Sequence, residues 1–383
     1  MELKSKLPDV GTTIFTVMSR LAASHGAINL SQGFPDFDTD PRLIGLVEEA
    51  MHGGHNQYAP MPGLPELNNA IADKLQKDYG WRPDPDTEIT VTSGGTQALY
   101  SIIGAMISPG DEAIVLEPSY DSYIPSIISF GGSVKTFQLQ PPLYKVDWDA
   151  VEALVTPRTK FIMINTPHNP CGVVLGSDDM MRLEQIVLKH GLYVISDEVY
   201  EHIIFDGHQH QSVLRYPDLY SRSFVVFSFG KSLHVTGWKT GYVIAPPALT
   251  TELRKIHQFN VFSGNRPMQT AIAHYMRQYS DFGALSSFYQ AKRDMFLDLM
   301  RGLPLVFLPC YGSYFMLADY SESSDLSDRA FAERLTIEGG VATIPLSPFY
   351  KNGSEEKIIR FCFAKKEETL LEAANRLKRY FNS

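Results

Sequence analysis

The stretch that decides the fold is Phe224-Val-Val-Phe-Ser228-Phe-Gly-Lys231-Ser-Leu-His-Val-Thr-Gly-Trp-Lys239-Thr-Gly241. Its first four residues form an uninterrupted apolar run, which is typical of a strand buried on both faces of a parallel sheet. Ser228 and Lys231 follow directly, so we expect them on the loop at the carboxyl end of that strand. Open α/β sheets bind ligands at this edge. The stretch therefore predicts an α/β fold with a site at a strand end.

Apolar runs of the same kind recur along the chain, at residues 114–116, 161–164, 193–195 and 242–245. The stretches between them carry apolar residues at helical spacing. Residues 177–190 predict a helix that Ser177 caps and that ends at Gly191, which suits a left-handed exit. A second stripe, at 67–79, is closed in the same way by Gly80. This alternation predicts a large domain whose mostly parallel central sheet is sandwiched by helices.

The C-terminal part of the chain follows a different pattern. It predicts long helices at 287–301 and 367–381 and strands at 314–317 and 358–363. We therefore expect a second, smaller α+β domain. The expected large domain covers residues 45–280, and the small domain combines residues 1–44 with residues 281–383.

Composition excludes several classes of protein. The 383 residues are 44% hydrophobic and 20% charged, which is usual for globular proteins and argues against intrinsic disorder. With 34 Lys and Arg against 43 Asp and Glu, the net charge is −9, and no long basic run is present, so we expect no nucleic-acid partner. The mean hydropathy is −0.12. No apolar run approaches the length of about 20 residues that a membrane span needs.

Cysteine usage and the start of the chain bear on location. Cys171, Cys310 and Cys362 lie far apart and form neither a CxxC pair nor a disulfide framework. The first residues lack the apolar core of a signal peptide. We therefore expect a cytoplasmic protein with reduced, buried thiols.

Lys231 and Lys239 are candidates for binding a cofactor. A lysine at a strand end can form an imine with an aldehyde, while Ser228 and Lys239 bind a phosphate. The alternative is that Lys231 is an ordinary solvated surface lysine.

Asp197 ends another apolar run, 193–195, and so falls at the same edge. A carboxylate there can keep a heterocyclic nitrogen protonated, because the positive ring favours the charged carboxylate. Tyr200, three residues further on, would then reach an oxygen on the same ring. The alternative is that Asp197 only caps a helix.

Two further segments follow apolar runs. Asn169 lies in Asn165-Thr-Pro-His-Asn169-Pro170 and is a candidate site residue. The alternative is an ordinary turn, because asparagine and proline are typical turn residues. In Thr92-Ser-Gly94-Gly95-Thr96 a strand meets a glycine pair and then a helix, whose free N–H groups can bind an anion. A simple loop is the alternative. Neither nucleotide-binding fingerprint, GxGxxG or GxxxxGK[ST], occurs in the chain.

These four strand ends together resemble those of fold-type I pyridoxal-phosphate enzymes, in particular the class I and II aminotransferases. The resemblance covers nearly the whole chain and includes segments 29–37, 56–63, 117–123 and 359–365. The start, with Ser5-Lys-Leu-Pro and Gly11-Thr-Thr-Ile-Phe15, is most similar to the bacterial methionine aminotransferases, of which the kynurenine aminotransferases are close relatives.

The resemblance implies pyridoxal 5′-phosphate as cofactor and assigns roles around its ring. Lys231 would hold the internal aldimine and move the proton. Asp197 would pair with the pyridine nitrogen, and Tyr200 and Asn169 would bond the ring hydroxyl. Tyr120 would stack on the ring face.

The resemblance also implies how the phosphate is bound, by Gly95, Thr96, Ser228 and Lys239. Gln97 would belong to the cofactor site as well. Many relatives have arginine where this chain has Lys239, and a lysine lacks the bidentate fork. Tyr58 would reach the phosphate in the partner subunit, which implies a homodimer with shared active sites.

For the substrate, the resemblance places the α-carboxylate on Arg360, whose planar fork matches it. Gly33 would allow a close backbone approach, and Asn169 would also contact the substrate. Phe15, Tyr58 and Phe262 are candidates for the side-chain pocket. Two alternatives stay open from the residues alone, a surface arginine on an edge strand for Arg360 and an ordinary core position for Phe15.

The expected function is ping-pong transamination of an uncharged L-amino acid, methionine first and aromatic amino acids next, with a 2-oxo acid. The alternatives on the same scaffold are a cysteine-conjugate β-lyase and a kynurenine–oxoglutarate aminotransferase. A regulatory protein with an aminotransferase-like domain would need an added basic helix-turn-helix, and we expect no room for one outside the catalytic span. His202, His208 and His210 resemble a metal site, but Asp206-Gly207 between them indicates a turn, and we expect no metal.

Overall fold

The computed structural model describes residues 4–279 and 281–382 as alternating strands and helices. The strands are β1 (Ile28–Asn29), β2 (Ile89–Thr92), β3 (Glu112–Glu117), β4 (Ser133–Gln138), β5 (Thr159–Asn165), β6 (Tyr193–Asp197), β7 (Ser223–Ser228), β8 (Gly241–Ile244), β9 (Val306–Phe307), β10 (Phe315–Asp319), β11 (Val341–Ala342), β12 (Ile344–Pro345) and β13 (Ile358–Cys362). The helices are α1 (Ile14–His25), α2 (Pro41–His52), α3 (Pro65–Tyr79), α4 (Gly94–Met106), α5 (Tyr123–Ser129), α6 (Trp148–Ala153), α7 (Ser177–His190), α8 (Pro217–Tyr220), α9 (Phe229–Ser232), α10 (Pro247–Asn260), α11 (Arg266–Gln278), α12 (Ala284–Leu299), α13 (Asp328–Ile337) and α14 (Glu367–Asn382). None of the helices in the described ranges is long and apolar enough to cross a membrane.

The central sheet has seven strands in the order β2-β8-β7-β6-β5-β3-β4. The strands from β7 to β4 are parallel, which confirms the predicted mostly parallel sheet. The run at 242–245 was expected to be parallel as well, and this expectation is wrong, because β8 is antiparallel to both β2 and β7. The reason is its connection. Residues between β7 and β8 form α9 and the 3-10 turn Thr236–Trp238 at one edge and do not provide the crossover that a parallel pair needs.

Both faces of this sheet are buried, because alternate side chains of each strand point to opposite sides. One face contributes Ile114, Ile162, Val194 and Val225 to one apolar cluster. The other contributes Val115, Met163, Ile195 and Val226 to a second cluster, together with Leu99 and Ile102 of α4 and Leu253 of α10. This double burial explains why the strands are continuous apolar runs in the sequence.

The C-terminal part forms a separate antiparallel sheet in the order β12-β13-β10-β9. The N-terminal strand β1 pairs in parallel with β11, so the start of the chain is attached to this C-terminal part. Sheet and helices together have the predicted α+β character. The boundaries proposed above, residues 45–280 against 1–44 and 281–383, stay predictions.

The helix predicted at 177–190 has the expected bounds, and Gly191 ends it in the left-handed region with φ 65°. Its cap differs from the prediction. Gly176 is the N-cap residue, and its N–H donates to Asp179 Oδ2 at 2.8 Å, so Ser177 is already the first helical residue. Asp179 in the first turn is the capping group instead of Ser177. Its carboxylate accepts the Gly176 N–H, and its negative charge is stabilised by the positive end of the helix dipole.

The strand directions determine which ends meet. Because β8 is antiparallel to both of its neighbours, β2 runs in the same direction as β7, and their carboxyl ends lie at one edge with those of β5 and β6. The amino end of β8 lies at this edge too, since Gly241 is opposite both Thr92 and Ser228. Lys239 therefore reaches the same edge as Ser228.

Gly241 permits the backbones of β8, β7 and the start of α4 to pack closely at this edge. A Cβ at Gly241 would lie 2.7 Å from the Phe227 carbonyl oxygen and 3.0 Å from the Gly94 carbonyl carbon, both rigid backbone atoms. Gly241→Ala is expected to lower the free energy of unfolding by about 1–3 kcal/mol through overpacking. The control is Gly237→Ala, because a Cβ at Gly237 meets nothing within 4 Å. Urea unfolding that gives the same stability for both variants would contradict this account.

Candidate active site

A cavity opens at the shared edge of β2, β5, β6 and β7. It is lined by Gly94, Gly95, Thr96, Leu99, Tyr120, Asn165, Asn169, Asp197, Val199, Tyr200, Ser228, Gly230, Lys231, Thr236 and Lys239. Among these are nine of the predicted site residues, namely Gly95, Thr96, Tyr120, Asn169, Asp197, Tyr200, Ser228, Lys231 and Lys239. The fold thus brings together most of the cofactor set expected from the sequence, although the cofactor contacts themselves stay predictions.

Lys231 lies in the short helix α9, three residues after the end of β7. Its Nζ donates to the Tyr314 hydroxyl at 2.8 Å and, more weakly, to the Gly33 carbonyl at 3.5 Å. Burial lowers the pKa of the Lys231 amine to about 8. An amine with this pKa is partly neutral near physiological pH, and the neutral form is the nucleophile that attacks an aldehyde.

Asp197 is the last residue of β6 and is buried. The Tyr123 hydroxyl donates to its Oδ2 at 2.6 Å, and the Val199 N–H donates to Oδ1 at 3.4 Å. Burial raises the pKa of the Asp197 carboxyl to about 6, while the hydrogen bond from Tyr123 acts in the opposite direction. A cationic partner in the cavity would favour the ionised form further.

Two tyrosines contribute the aromatic walls of the cavity. Tyr200 is buried, and its ring meets that of Tyr314 edge to face with centroids 5.1 Å apart. The Tyr120 hydroxyl lies 3.3 Å from Thr96 Oγ1. Burial raises the pKa of both tyrosine hydroxyls, so both stay protonated and can donate hydrogen bonds. The cavity therefore combines aromatic surface with hydroxyl donors, a lining that suits a flat ring bearing polar substituents.

The start of α4 forms one end of the cavity. Gly94 has φ 80° and begins the helix, whose first turn leaves backbone N–H groups free for an anion. A Cβ on Gly94 would lie 3.5 Å from Lys239 Cε, so the lysine side chain passes directly over the glycine. Free N–H groups, the hydroxyls of Thr96 and Ser228, and the Lys239 ammonium make this end suitable for a phosphate.

Gln97 is placed differently from the other predicted cofactor residues. Its Oε1 accepts the Ser93 N–H at 2.9 Å, and its Nε2 lies 2.7 Å from Ser101 Oγ and 3.2 Å from His257 Nδ1. It does not belong to the cavity lining. Its side chain supports the start of α4, and a contact between Gln97 and the cofactor stays a prediction.

Arg360 is fully buried on β13, an interior strand of the small sheet, so it is not the edge-strand surface arginine that was the alternative. Its Nη1 donates to Asn169 Oδ1 at 2.7 Å and its Nη2 to the Ser31 carbonyl at 3.1 Å. Its Nε has no partner in the described residues. Burial lowers the pKa of the guanidinium to about 10. Through Asn169 it is one residue removed from the cavity lining.

Gly33 and Phe15 lie beside Arg360 rather than in the cavity lining. A Cβ on Gly33 would come within 2.5 Å of Phe315 Cζ, so glycine is needed for this close approach to an aromatic ring. Phe15 packs edge to face on Phe349 at 5.8 Å, and its ring centroid lies 5.3 Å from the Arg360 guanidinium. Both positions are compatible with the predicted substrate roles, which stay predictions.

Tyr58 and Phe262 lie outside the cavity of their own chain. Tyr58 is 79% exposed and Phe262 47% exposed, and their rings pack edge to face at 5.3 Å. A contribution of either residue to the site depends on a second copy of the chain.

Sequence reasoning assigned no role to Tyr123, Tyr314 or Ser31, which contact the three central charged groups. All three lie inside segments that were singled out for other reasons, residues 117–123, the strand run 314–317 and segment 29–37. Only the contact itself distinguishes them, because the local sequence does not show which distant group a hydroxyl or a backbone carbonyl will meet.

The histidine cluster does not form a common site. His210 Nε2 pairs with Glu198 at 2.7 Å, whereas His202 lies near Asp78 and Glu201. Ligand atoms of Asp78, Glu201 and His202 lie close enough for a metal. However, the Lys74 ammonium already lies 2.8 Å from Glu201 and 3.2 Å from Asp78, and it balances their charge.

Known proteins are similar to this chain in sequence and in fold. The family model for class I and II aminotransferases matches residues 25–377. The chain is 50% identical over 376 residues to the methionine aminotransferase of Escherichia coli K12, covering 98% of this chain and 97% of that protein. It is 32% identical over 410 residues to kynurenine–oxoglutarate transaminase 1 of Rattus norvegicus, covering 98% and 97% respectively. An Escherichia coli crystal structure described as identifying a methionine aminotransferase function has a TM-score of 0.96 at 50% identity and covers 99% of this chain and 100% of that chain.

These matches confirm the fold and the family that the sequence motifs indicated. They extend over nearly the full length of the chain, so both the strand ends that build the cavity and the C-terminal sheet that carries Arg360 are included. The chain therefore belongs to the class I and II aminotransferase family, enzymes that carry out the transamination of amino acids.

Proposed function

We propose that this chain is a pyridoxal-phosphate-dependent aminotransferase that exchanges amino groups between methionine or aromatic amino acids and 2-oxo acids. The observation that carries the proposal is a single cavity that places Lys231, with its lowered amine pKa, together with the buried carboxylate of Asp197. A buried aspartate and a partly buried lysine that are not paired with each other, at or just beyond the ends of adjacent strands, are typical of a functional site, because each charge is costly to desolvate without a partner.

The chemistry of the donors fits pyridoxal phosphate. The amine of Lys231 can form an imine with the aldehyde of the cofactor, and the Asp197 carboxylate can pair with its protonated ring nitrogen. The glycine-rich start of α4 with Ser228 and Lys239 matches a phosphate. When bound, the cofactor supplies an electron-withdrawing ring that stabilises a carbanion at the substrate's α-carbon.

The protein's own residues then have distinct tasks. Asp197 would hold the ring nitrogen protonated, and Lys231, with its amine free, would move the proton from the substrate's α-carbon. Tyr200 and Asn169 would donate to the ring oxygen, while Tyr120 would exclude water from the ring. In the structure, Lys231 Nζ lies within hydrogen-bond distance of the Tyr314 hydroxyl.

Arg360 is the proposed site of the substrate's α-carboxylate. It is buried, so its charge is weakly screened, and its Nε still lacks a partner. The rings of Phe15, Phe315 and Phe349 lie around the guanidinium at 5.3, 3.9 and 5.2 Å. An anion that binds there meets one strong cation within apolar walls, which suits the planar carboxylate of an amino acid.

A homodimer is proposed on the basis of the exposed surface around Tyr58. Tyr58, Phe262 and Phe259 are large, and their exposure of 79%, 47% and 87% is unusual for apolar side chains that face only water. A second copy that covers them would place Tyr58 at the partner's cofactor. A cytoplasmic location is also proposed, since all three cysteines are free and buried.

The first prediction from the site concerns Lys231. Lys231→Ala is expected to abolish transamination, because it removes both the imine-forming amine and the group that moves the proton. Borohydride should fix pyridoxal phosphate onto the unsubstituted chain at Lys231 and not onto the variant, as measured by peptide mass spectrometry. Lys255→Ala, at an exposed position paired with Glu252, is the control and should be labelled normally. Covalent labelling retained in Lys231→Ala would show that another lysine does the chemistry.

The second prediction concerns Asp197. Asp197→Asn nearly preserves shape but removes the negative charge, and we expect kcat to fall roughly 100- to 10,000-fold, comparable to the loss of a strong electrostatic contact in a dry site. Asp178→Asn, at an exposed position in α7, is the control. Near-normal turnover of Asp197→Asn with a fixed acceptor would remove this carboxylate from the mechanism.

The third prediction concerns the side chain of the substrate. The stretch from Phe259 to Gly264 has no arginine to pair a distal carboxylate, and an unpaired buried charge costs several kcal/mol. We expect kcat/KM for methionine to exceed that for aspartate by at least about tenfold, roughly 1.4 kcal/mol, with one fixed acceptor. Phenylalanine, tyrosine, tryptophan and kynurenine complete the panel.

Arg266 provides the internal check on this prediction. It begins α11, its Nε is buried without a partner among the described residues, and it lines the same surface cavity as Tyr58. If aspartate equals or exceeds methionine, the apolar-pocket account is wrong, and Arg266→Met should then remove the activity toward aspartate alone.

A further inference from the structure

The contact between Tyr123 and Asp197 is unusual among the interactions around the cavity. Tyr123 is 3% exposed, and its hydroxyl donates to Asp197 Oδ2 at 2.6 Å. Within the described residues this is the hydroxyl's single hydrogen bond. Burial raises the pKa of Tyr123 far above its usual value, so the hydroxyl keeps its proton and remains a donor throughout the working pH range.

The position of Tyr123 in the chain couples it to a second wall of the cavity. Tyr123 begins α5, and its N–H donates to the Tyr120 carbonyl at 3.1 Å, which closes a tight turn. The rings of Tyr120 and Tyr123 meet edge to face at 5.7 Å. One turn therefore presents a ring to the cavity and, three residues later, a hydroxyl to the carboxylate.

We propose that Tyr123 is a positioning residue for Asp197, which holds the carboxylate ionised and in one orientation toward the cavity. A buried carboxylate needs a donor to stay ionised, and the second candidate, the Val199 N–H at 3.4 Å, is a weaker one on the other oxygen. The role toward the cofactor rests on the proposed function. The effect of Tyr123 on the ionisation of Asp197 is independent of the proposed function.

Two charged side chains, Lys231 and Glu198, also act on the Asp197 carboxyl. Lys231 lowers the pKa of the carboxyl, and Glu198 raises it. The Asn165 amide donates to the Asp197 backbone carbonyl at 2.8 Å and so leaves the side chain alone. Tyr123 is thus the one neutral group among these that bonds directly to the carboxylate at short range.

The decisive experiment measures the titration of Asp197 in the cofactor-free protein. Aspartate is labelled with ¹³C at the carboxyl carbon, and the Asp197 resonance is assigned by its loss in Asp197→Asn. Tyr123→Phe is expected to raise the pKa of Asp197 by about one unit or more, a tenfold change in its protonation equilibrium. Tyr144→Phe is the matched control, because Tyr144 is equally buried but its hydroxyl has no hydrogen-bond partner in the described part of the chain. It should leave the titration unchanged within about 0.3 units.

A second replacement keeps the test independent of any folding defect. Replacing Tyr123 by 3,5-difluorotyrosine preserves the shape and makes the hydroxyl a stronger donor. The pKa of Asp197 should then shift downward, opposite to the effect of Tyr123→Phe. An unchanged titration in Tyr123→Phe, or a shift in the same direction in both variants, would overturn the proposal.

The holoenzyme supplies the functional readout. We expect Tyr123→Phe to lower kcat about 10- to 100-fold, to change KM for the amino donor less than about threefold, and to move the acidic limb of the kcat profile to higher pH. A kcat profile identical to that of the unsubstituted enzyme would contradict the positioning role. If borohydride fails to attach the cofactor to Lys231 in the unsubstituted enzyme, the proposed function fails, while the titration of Asp197 still decides the role of Tyr123.

Discussion

The active site depends on one topological constraint, the antiparallel strand β8 inserted between β2 and β7. Because it reverses direction, its amino end meets the carboxyl ends of its neighbours, and Lys239 arrives where Ser228 and the start of α4 already lie. Backbone atoms approach so closely at Gly241 that a Cβ would overlap the Phe227 carbonyl. The cavity end suited to an anion is therefore built where the strand ends meet the start of α4 and the turn before β8.

Desolvation is the second feature that the chemistry uses. Lys231, Asp197 and Arg360 are all ionisable groups for which burial moves the pKa toward the neutral form. Among residues 4–279 and 281–382, none of the three has an ion-pair partner. Each is instead held by neutral groups, the hydroxyls of Tyr314 and Tyr123 and the amide oxygen of Asn169. Such a site attracts a ligand that carries the complementary charges, because the ligand relieves the cost of burying each charge unpaired.

The C-terminal sheet completes the site from the other side. β13 carries Arg360, and β10 follows directly after Tyr314, so neighbouring strands supply a buried cation and the hydrogen-bond partner of Lys231. The N-terminal segment joins them, because the Gly33 carbonyl accepts from Tyr314 at 2.6 Å and the Ser31 carbonyl accepts from Arg360. Residues about 200 to 300 positions apart in sequence thus form one network, which connects Arg360 with Lys231 through the N-terminal segment.

The sequence by itself determined the buried strands and the polar residues at their ends, because strands buried on both faces leave continuous apolar runs. The family came from the resemblance of the combined strand-end motifs to those of known enzymes, which no single motif would have established. The sequence also determined that Asp197 and Lys231 share an edge. Only the tertiary structure decided that β8 is antiparallel, that Gln97 supports a helix start, and that Tyr58 and Phe262 face outward. The same holds for Tyr123, whose role depends on a contact 74 residues away in the chain. Periodicity reports which face of an element is buried, whereas the partner of a buried hydroxyl depends on how distant elements pack, and no local pattern contains that information.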